Sequence, residues 1–278
     1  RRHGEHRHPL DEQGVDQPLK ENEMHPTVSI VIRGYNRERY IGRAIESVLA
    51  QTYDDFDLLV WDDGSTDKTA QVAIEYAKKD RRVRIASYDH RGATKALKAA
   101  LADTFGPYLC WVDSDDMLAP TALEETVAVL NANPTVGMVY TDYQVMDSAD
   151  RITGYGKRCR IPYSKDRMLL DFMTFHFRLI RRSVFDQVGG IDESFQCAED
   201  YDLCLRVAEL TEVRRIPKPL YFYRIHADSI SQSMRIDQIH CARDAVNRAL
   251  DRRGLSDRFE LDLQIRGRFS LRRRKPNG

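Results

Sequence analysis

The chain has 278 residues, 42% of them hydrophobic and 31% charged, and its 43 basic side chains are matched by 43 acidic ones. That balance excludes nucleic acid as the main partner, because neutralising phosphates takes an excess of Lys and Arg. No apolar run approaches the roughly 18 residues that would span a bilayer, and the amino end is charged rather than leader-like. The five cysteines (Cys110, Cys159, Cys197, Cys204, Cys241) are odd in number and form no CxxC pair. This argues against a secreted disulfide framework or a thiolate zinc site, and fits a reducing cytoplasm.

Residues 1–25 hold hardly any large apolar side chains, so they cannot bury enough surface to offset chain entropy, and they read as a tail or linker. The chain starts with Arg and ends in LRRRKPNG, and both ends read as those of a piece of a longer or processed polypeptide. Between them, short β-branched stretches alternate with amphipathic ones, the pattern of a mostly parallel sheet flanked by helices in one Rossmann-like α/β domain. Residues 28–32 (VSIVI) predict a first strand. Ile41, Ala44, Ile45, Val48 and Leu49 then share one helix face. Residues 57–61 (DLLVW) predict a second strand, stopped by DDGSTD and followed by a helix marked by Ala70, Ala73, Ile74 and Ala77. A third strand is expected over 83–86, a helix over about 93–103, and a fourth strand over 108–112 (YLCWV), which runs into Asp-Ser-Asp-Asp.

Pro120 opens the next helix, and another strand is expected over 136–141. Residues 150–176 have weak periodicity and several cations (Lys157, Arg158, Arg160, Lys165, Arg167), and read as a flexible loop. Beyond it come a strand over 177–180, a short helix over 183–188, a helix face at Leu203, Cys204, Val207 and Ala208, and a strand over 219–225. A last helix over about 235–250 completes the series, placing the main domain at 26–232 and a helical extension with a basic tail at 233–278.

In a doubly wound sheet, ligands sit beyond the carboxyl ends of the strands, where loops diverge and helix amino termini point inward. The second strand ends in Asp62 and Asp63, and the fourth in Asp113, Asp115 and Asp116. Gathered carboxylates raise one another's pKa unless something compensates, and the simplest compensation is a divalent cation with oxygen ligands, Mg²⁺ or Mn²⁺, which in turn suits a polyphosphate. Asp63-Gly64-Ser65 is equally an ordinary turn and helix cap. No GxGxxG follows the first strand and no Walker loop is present. Glu199-Asp200 opens a helix, either as a charge-compensated first turn or as a general base with a carboxylate that orients it. His226, in YRIHADSIS, ends a strand and could ligate a metal or contact phosphate beside Arg224, Ser229 and Ser231.

Four segments in this order, VSIVIRGYNRERYIGRAIESVLAQTYDDFDLLVWDDGSTDKT, RGATKALKAALADTFGPYLCWVDSDDMLAP, GGIDESFQCAEDYDLCLR and YRIHADSIS, resemble glycosyltransferase family 2 over residues 27–232. The resemblance implies a GT-A fold and inverting transfer of a sugar from a nucleotide diphosphate, most simply a UDP-sugar, with Mn²⁺ or Mg²⁺. It assigns Tyr35 and Asp63 to the nucleotide base, Asp113 and Asp115 to the DxD motif, with Asp115 as main metal ligand, and Asp200 to the catalytic base beside Glu199. It places His226 at a metal or pyrophosphate ligand, with Arg224 and Ser231 in the same phosphate-binding segment. Arg33 and Lys98 depart from the pattern and would touch the nucleotide, the sugar or a phosphate. The QxxRW motif of processive synthases is absent, which suggests single additions. The acceptor would be a glycan, a lipid-linked or a protein hydroxyl, in the cytoplasm or at the inner face of a membrane. A nucleotidyltransferase and a non-catalytic nucleotide-sugar binding module are the competing readings.

Overall fold

The computed structural model describes residues 26–226 and 235–265. The tail at 1–25, the basic end of the chain and Ser229 and Ser231 lie outside the described residues. The elements run β1 (Val28–Gly34), α1 (Ile41–Leu49), β2 (Phe56–Asp62), α2 (Thr69–Ala77), β3 (Val83–Ser87), α3 (Ala93–Ala102) and β4 (Tyr108–Asp113). They continue through β5 (Met117–Leu118), α4 (Ala122–Ala132), β6 (Val136–Met146), β7 (Ile152–Tyr155), β8 (Arg178–Arg181), α5 (Arg182–Gln187), α6 (Glu199–Leu210), β9 (Glu212–Arg224) and α7 (Arg235–Arg252).

The nine strands form one sheet in the order β3-β2-β1-β4-β8-β6-β9-β5, with β7 on β6. Its first four strands are parallel, β8 runs antiparallel to both β4 and β6, and β9 is parallel to β6. The unbroken apolar runs of β1, β2 and β4 follow from this, because helices cover both faces of the parallel half. Ile30, Ile32, Leu58, Val60, Cys110 and Val112 pack with α1 and α4 on one face, while Val31, Leu59, Trp61, Leu109 and Trp111 pack with α3, α6 and α7 on the other. Odd and even positions of each strand thus enter different cores, as a period of two requires.

Four expectations are corrected. The stretch read as a flexible loop holds β7 and two short 3-10 turns, and buries Cys159, Met168 and Met173. Strand β9 begins at Glu212, seven residues before the expected start. Its two prolines cannot donate to the ladder, and the register slips from Ile216 opposite Thr141 to Pro219 opposite Asp142. Helix α7, expected as an appendage, buries Ala245, Val246, Ala249 and Leu250 in the same cluster as α6. Cys197 and Cys241 further tie the approach to α6 onto α7 through a disulfide, where the cysteine count argues against a disulfide framework. Their spacing of 44 residues offered no motif to the eye.

Candidate active site

Strand register places the site. Arg33 pairs with Trp61 on one side and Asp113 on the other, so these three side chains share the face against which α6 packs. The chain leaves β1 through Gly34, where a Cβ would sit 3.1 Å from Ile41 Cδ1 and 3.2 Å from Thr69 Cγ2. The loop after it is laced to the loop after β2. Asn36 N donates to Ser65 Oγ at 2.9 Å, Thr66 N donates to Asn36 Oδ1 at 2.9 Å, and Arg37 N donates to Thr69 Oγ1 at 2.7 Å.

Asp63 is buried at 1% exposure. Its carboxylate accepts the N–H groups of Arg91 at 2.9 Å and Gly92 at 3.1 Å, with His90 Nδ1 2.9 Å away. Gly64 has φ +74, and a Cβ there would lie 2.6 Å from His90 N, so no other residue fits this turn without a shift of the backbone. The Tyr35 and His90 rings stack 4.0 Å apart, and His90 thus bridges Tyr35 to Asp63. Tyr35 and Asp63 are therefore brought together as expected, with His90 as a neighbour that sequence reasoning missed.

The turn after β4 carries the acidic cluster. Asp115 Oδ2 lies 2.8 Å from His226 Nε2 and 3.6 Å from Arg37 Nε. Burial alone would raise Asp115, but the His226 hydrogen bond and the Arg37 charge bring it below the ordinary carboxylate range. At Asp113 the Arg33 and Arg178 charges give only partial relief. Burial and the Asp115 charge push it up to about 6. Its Oδ2 lies 3.6 Å from His176 Nε2. Asp116 is forced well above its usual range by burial and by both neighbouring aspartates. Burial, with the Arg178 and Arg158 charges, drives His176 well below the ordinary imidazole value. Ligand atoms of Asp113, Asp116 and His176 fall within 4.8 Å of one another, and Asp116 Oδ2, buried, makes no hydrogen bond. Carboxylate oxygens and the His176 imidazole, with an orphaned buried oxygen among them, suit a hard divalent cation.

On the same face, α6 starts at Glu199 after Ala198, which takes a left-handed φ of 61°. Arg178, 3% exposed, donates from Nη1 and Nη2 to Asp200 Oδ2 at 3.0 and 3.1 Å, and its guanidinium stacks 5.0 Å over Trp111. The segment His176-Phe177-Arg178 thus sends one side chain to the acidic turn and the next but one to the start of α6. Sequence reasoning missed it; the alternation of cationic residues on an apolar stretch was the available signal. Burial and the Asp200 charge raise Glu199 to about 7, against the pull of Arg33. Arg33, a departure in the sequence pattern, sits where it offsets part of the charge of Asp113 and Glu199.

Two expected contacts are not assembled. Arg224 is fully buried and its guanidinium is spent within the protein, on Asp115 O, Asp147 O at 3.0 Å and Asp150, while its N–H reaches Asp116 Oδ1 at 2.7 Å. It props the acidic turn from behind instead of presenting a cation to a phosphate. Lys98 points to Glu193 at 3.3 Å from the outer side of α3.

The profile of Glycosyl transferase family 2 matches residues 29–189, more than half of the chain. The chain belongs to glycosyltransferase family 2. A chondroitin synthase of Escherichia coli is 31% identical over 230 residues, which is 83% of this chain and 33% of that protein, so the chain spans about a third of its relative's length. Two solved structures share the GT-A fold of the family at low identity. S. aureus TarS 1-349 in complex with UDP-GlcNAc has a TM-score of 0.62 at 18% identity, covering 84% of this chain and 76% of that one. The mannosyltransferase PcManGT from Pyrobaculum calidifontis, in complex with GDP-Man and Mn²⁺, has a TM-score of 0.60 at 17% identity, covering 86% and 77%. In this family 2 chain, no described helix is long and apolar enough to cross a membrane.

The raised Glu199 yields a test of the electrostatics that needs no substrate. An acid whose folded pKa lies above its unfolded value holds its proton more tightly when folded, so its share of stability falls as pH rises from about 4.5 through about 7. The full shift corresponds to about 3 kcal/mol, and partial exposure of the side chain reduces the expected effect to about 1–2 kcal/mol. Glu199→Gln should therefore melt about 3–6 °C above the parent at pH 8 and level with it at pH 4.5, in thermal melts with EDTA present. A constant offset at both values would reject the burial of this carboxyl.

Proposed function

We propose that the chain is a metal-dependent, inverting glycosyltransferase that takes its sugar from a nucleotide diphosphate donor, most simply a UDP-sugar, and passes it to an acceptor hydroxyl. The observation that carries this reading is the shared placement of two carboxylate groups at one end of the sheet, the Asp113 to Asp116 turn and the Glu199-Asp200 helix start, close enough for Asp113 to act on Glu199 and Asp200 on Asp113. The TarS and PcManGT complexes, with UDP-GlcNAc and with GDP-Man and Mn²⁺, support it by analogy.

Tyr35 and Asp63 line the place for the nucleotide base, with Asp63 fixed by the 90–92 backbone. Asp115, paired with His226, would hold the cation together with the neighbouring group of Asp113, Asp116 and His176. When bound, that cation offsets the charge that builds on the departing diphosphate. Asp200 takes the proton of the acceptor hydroxyl as its oxygen attacks the anomeric carbon from the side opposite the diphosphate. Arg178 fixes the direction of that carboxylate.

The test is direct. The purified chain is incubated with UDP-GlcNAc, UDP-glucose, UDP-glucuronate and GDP-mannose, with Mn²⁺ or with EDTA, and release of the nucleoside diphosphate is followed. Mn²⁺-dependent release from one UDP-sugar is expected. Release from none, together with no binding of any nucleotide, would defeat the reading.

A further inference from the structure

Of the five cations in residues 157–167, four are turned away or engaged: Lys157 and Arg160 are exposed, Lys165 donates to Glu209 O at 3.3 Å, and Arg167 pairs with Asp171 at 2.8 Å. Arg158 is different. The guanidinium of this half-buried residue lies over two rings, 4.4 Å from the centroid of Phe175 and 5.2 Å from that of Phe172. Nη1 donates to Phe172 O at 3.2 Å, and no carboxylate among the described residues forms an ion pair with it. A guanidinium has five donors in a fixed fork, suited to a carboxylate that brings two oxygens.

These rings stand between the two halves of the chemistry. Phe175 meets His176, the neighbour of Asp113, at 4.3 Å, and Tyr223 at 5.3 Å. Phe172 meets Tyr201, the residue after Asp200, at 4.6 Å, and the guanidinium of Arg178 at 5.7 Å. Both rings are half-buried. The two rings thus lie beside both the acidic turn and the start of α6 that carries Asp200. A pyranose ring has apolar C–H faces that pack on aromatic rings, and a phosphate head has none.

We propose that Arg158, with Phe172 and Phe175, forms the acceptor subsite and selects a glycan in which the sugar at or next to the reacting hydroxyl carries a carboxylate, a uronic acid. The proposal rests on the glycosyltransferase reading and names the substrate class of that same site. One residue type explains both features of the surface: the sugar ring packs on the phenylalanines while its carboxylate pairs with the fork of Arg158.

The experiment first measures Mn²⁺-dependent UDP release from the donor alone. It then adds three acceptor probes: a tetrasaccharide alternating glucuronate and N-acetylhexosamine, neutral chitotetraose, and undecyl phosphate. The uronate tetrasaccharide should accelerate UDP release. Arg158→Ala should raise the KM for that probe about tenfold or more while the KM for the donor stays in place. Arg158→Gln, which keeps a donor for Phe172 O, covers the case in which the alanine variant fails to fold and should show the same shift. Lys157→Ala and Arg160→Ala should leave the acceptor KM where it was. Acceleration by chitotetraose or undecyl phosphate that depends equally on Arg158 would overturn the proposal, as would donor turnover indifferent to all three probes. A donor that neither binds nor turns over would sink the glycosyltransferase reading and this proposal with it.

Discussion

Asp200→Asn is expected to lower kcat for sugar transfer by about a hundred- to ten-thousandfold while the donor KM barely moves, the signature of a lost general base. The substitution preserves volume and one oxygen for Arg178, so the start of α6 keeps its place on the guanidinium. What disappears is the capacity to accept a proton. An asparagine cannot raise the nucleophilicity of an acceptor hydroxyl, so the cost falls on the transition state and spares the binding of the nucleotide, whose proposed place is against Tyr35 and Asp63. Steady-state kinetics with varied donor and with varied acceptor separate these terms. A kcat within about tenfold of the parent would move the base elsewhere, with Glu199 the first place to look.

Asp115→Ala should have a different signature. The residue is held by His226 at 2.8 Å and approached by Arg37 at 3.6 Å, and removing it takes an oxygen ligand from the proposed cation site and one partner from each of these two side chains. Both transfer and donor hydrolysis should fall by about a hundred- to a thousandfold, on the scale of several kcal/mol of charge stabilisation by a metal. Mn²⁺ affinity, followed by electron paramagnetic resonance of the free ion, should weaken at least tenfold, the scale expected when even a supporting group is lost. Unchanged Mn²⁺ binding would show that Asp113, Asp116 and His176 hold the ion without Asp115.

The strand ends of the parallel half were legible because β1, β2 and β4 are apolar on both faces and stop at a charged residue, so Asp63, Asp113 and Asp115 could be set at one end of the sheet from spacing alone. Glu199 and Asp200 were legible as the first turn of a helix for the same local reason. His176 and Arg178 were not. They precede and begin a strand inserted antiparallel between β4 and β6, and nothing in a linear pattern reveals that a segment some sixty residues on will slot beside β4. Arg224 illustrates the opposite failure. Its place in a motif was read correctly, but a side chain next to an anion site can face into it or away from it, and only packing decides. Here Tyr40, 4.8 Å from the guanidinium, and the carbonyls of Asp115 and Asp147 hold it inward.

The bond between Cys197 and Cys241, 44 positions apart, closes a covalent ring that carries both Asp200 and His226. In the chain-entropy picture, a ring of that size removes about 4 kcal/mol of freedom from the unfolded state. The consequence reaches beyond stability: the groups assigned to proton removal and to the cation are mounted on one closed hoop, clasped two residues ahead of Glu199. A host that keeps thiols reduced would make the same polypeptide with the hoop undone, so samples from an oxidising and a reducing compartment are chemically distinct enzymes.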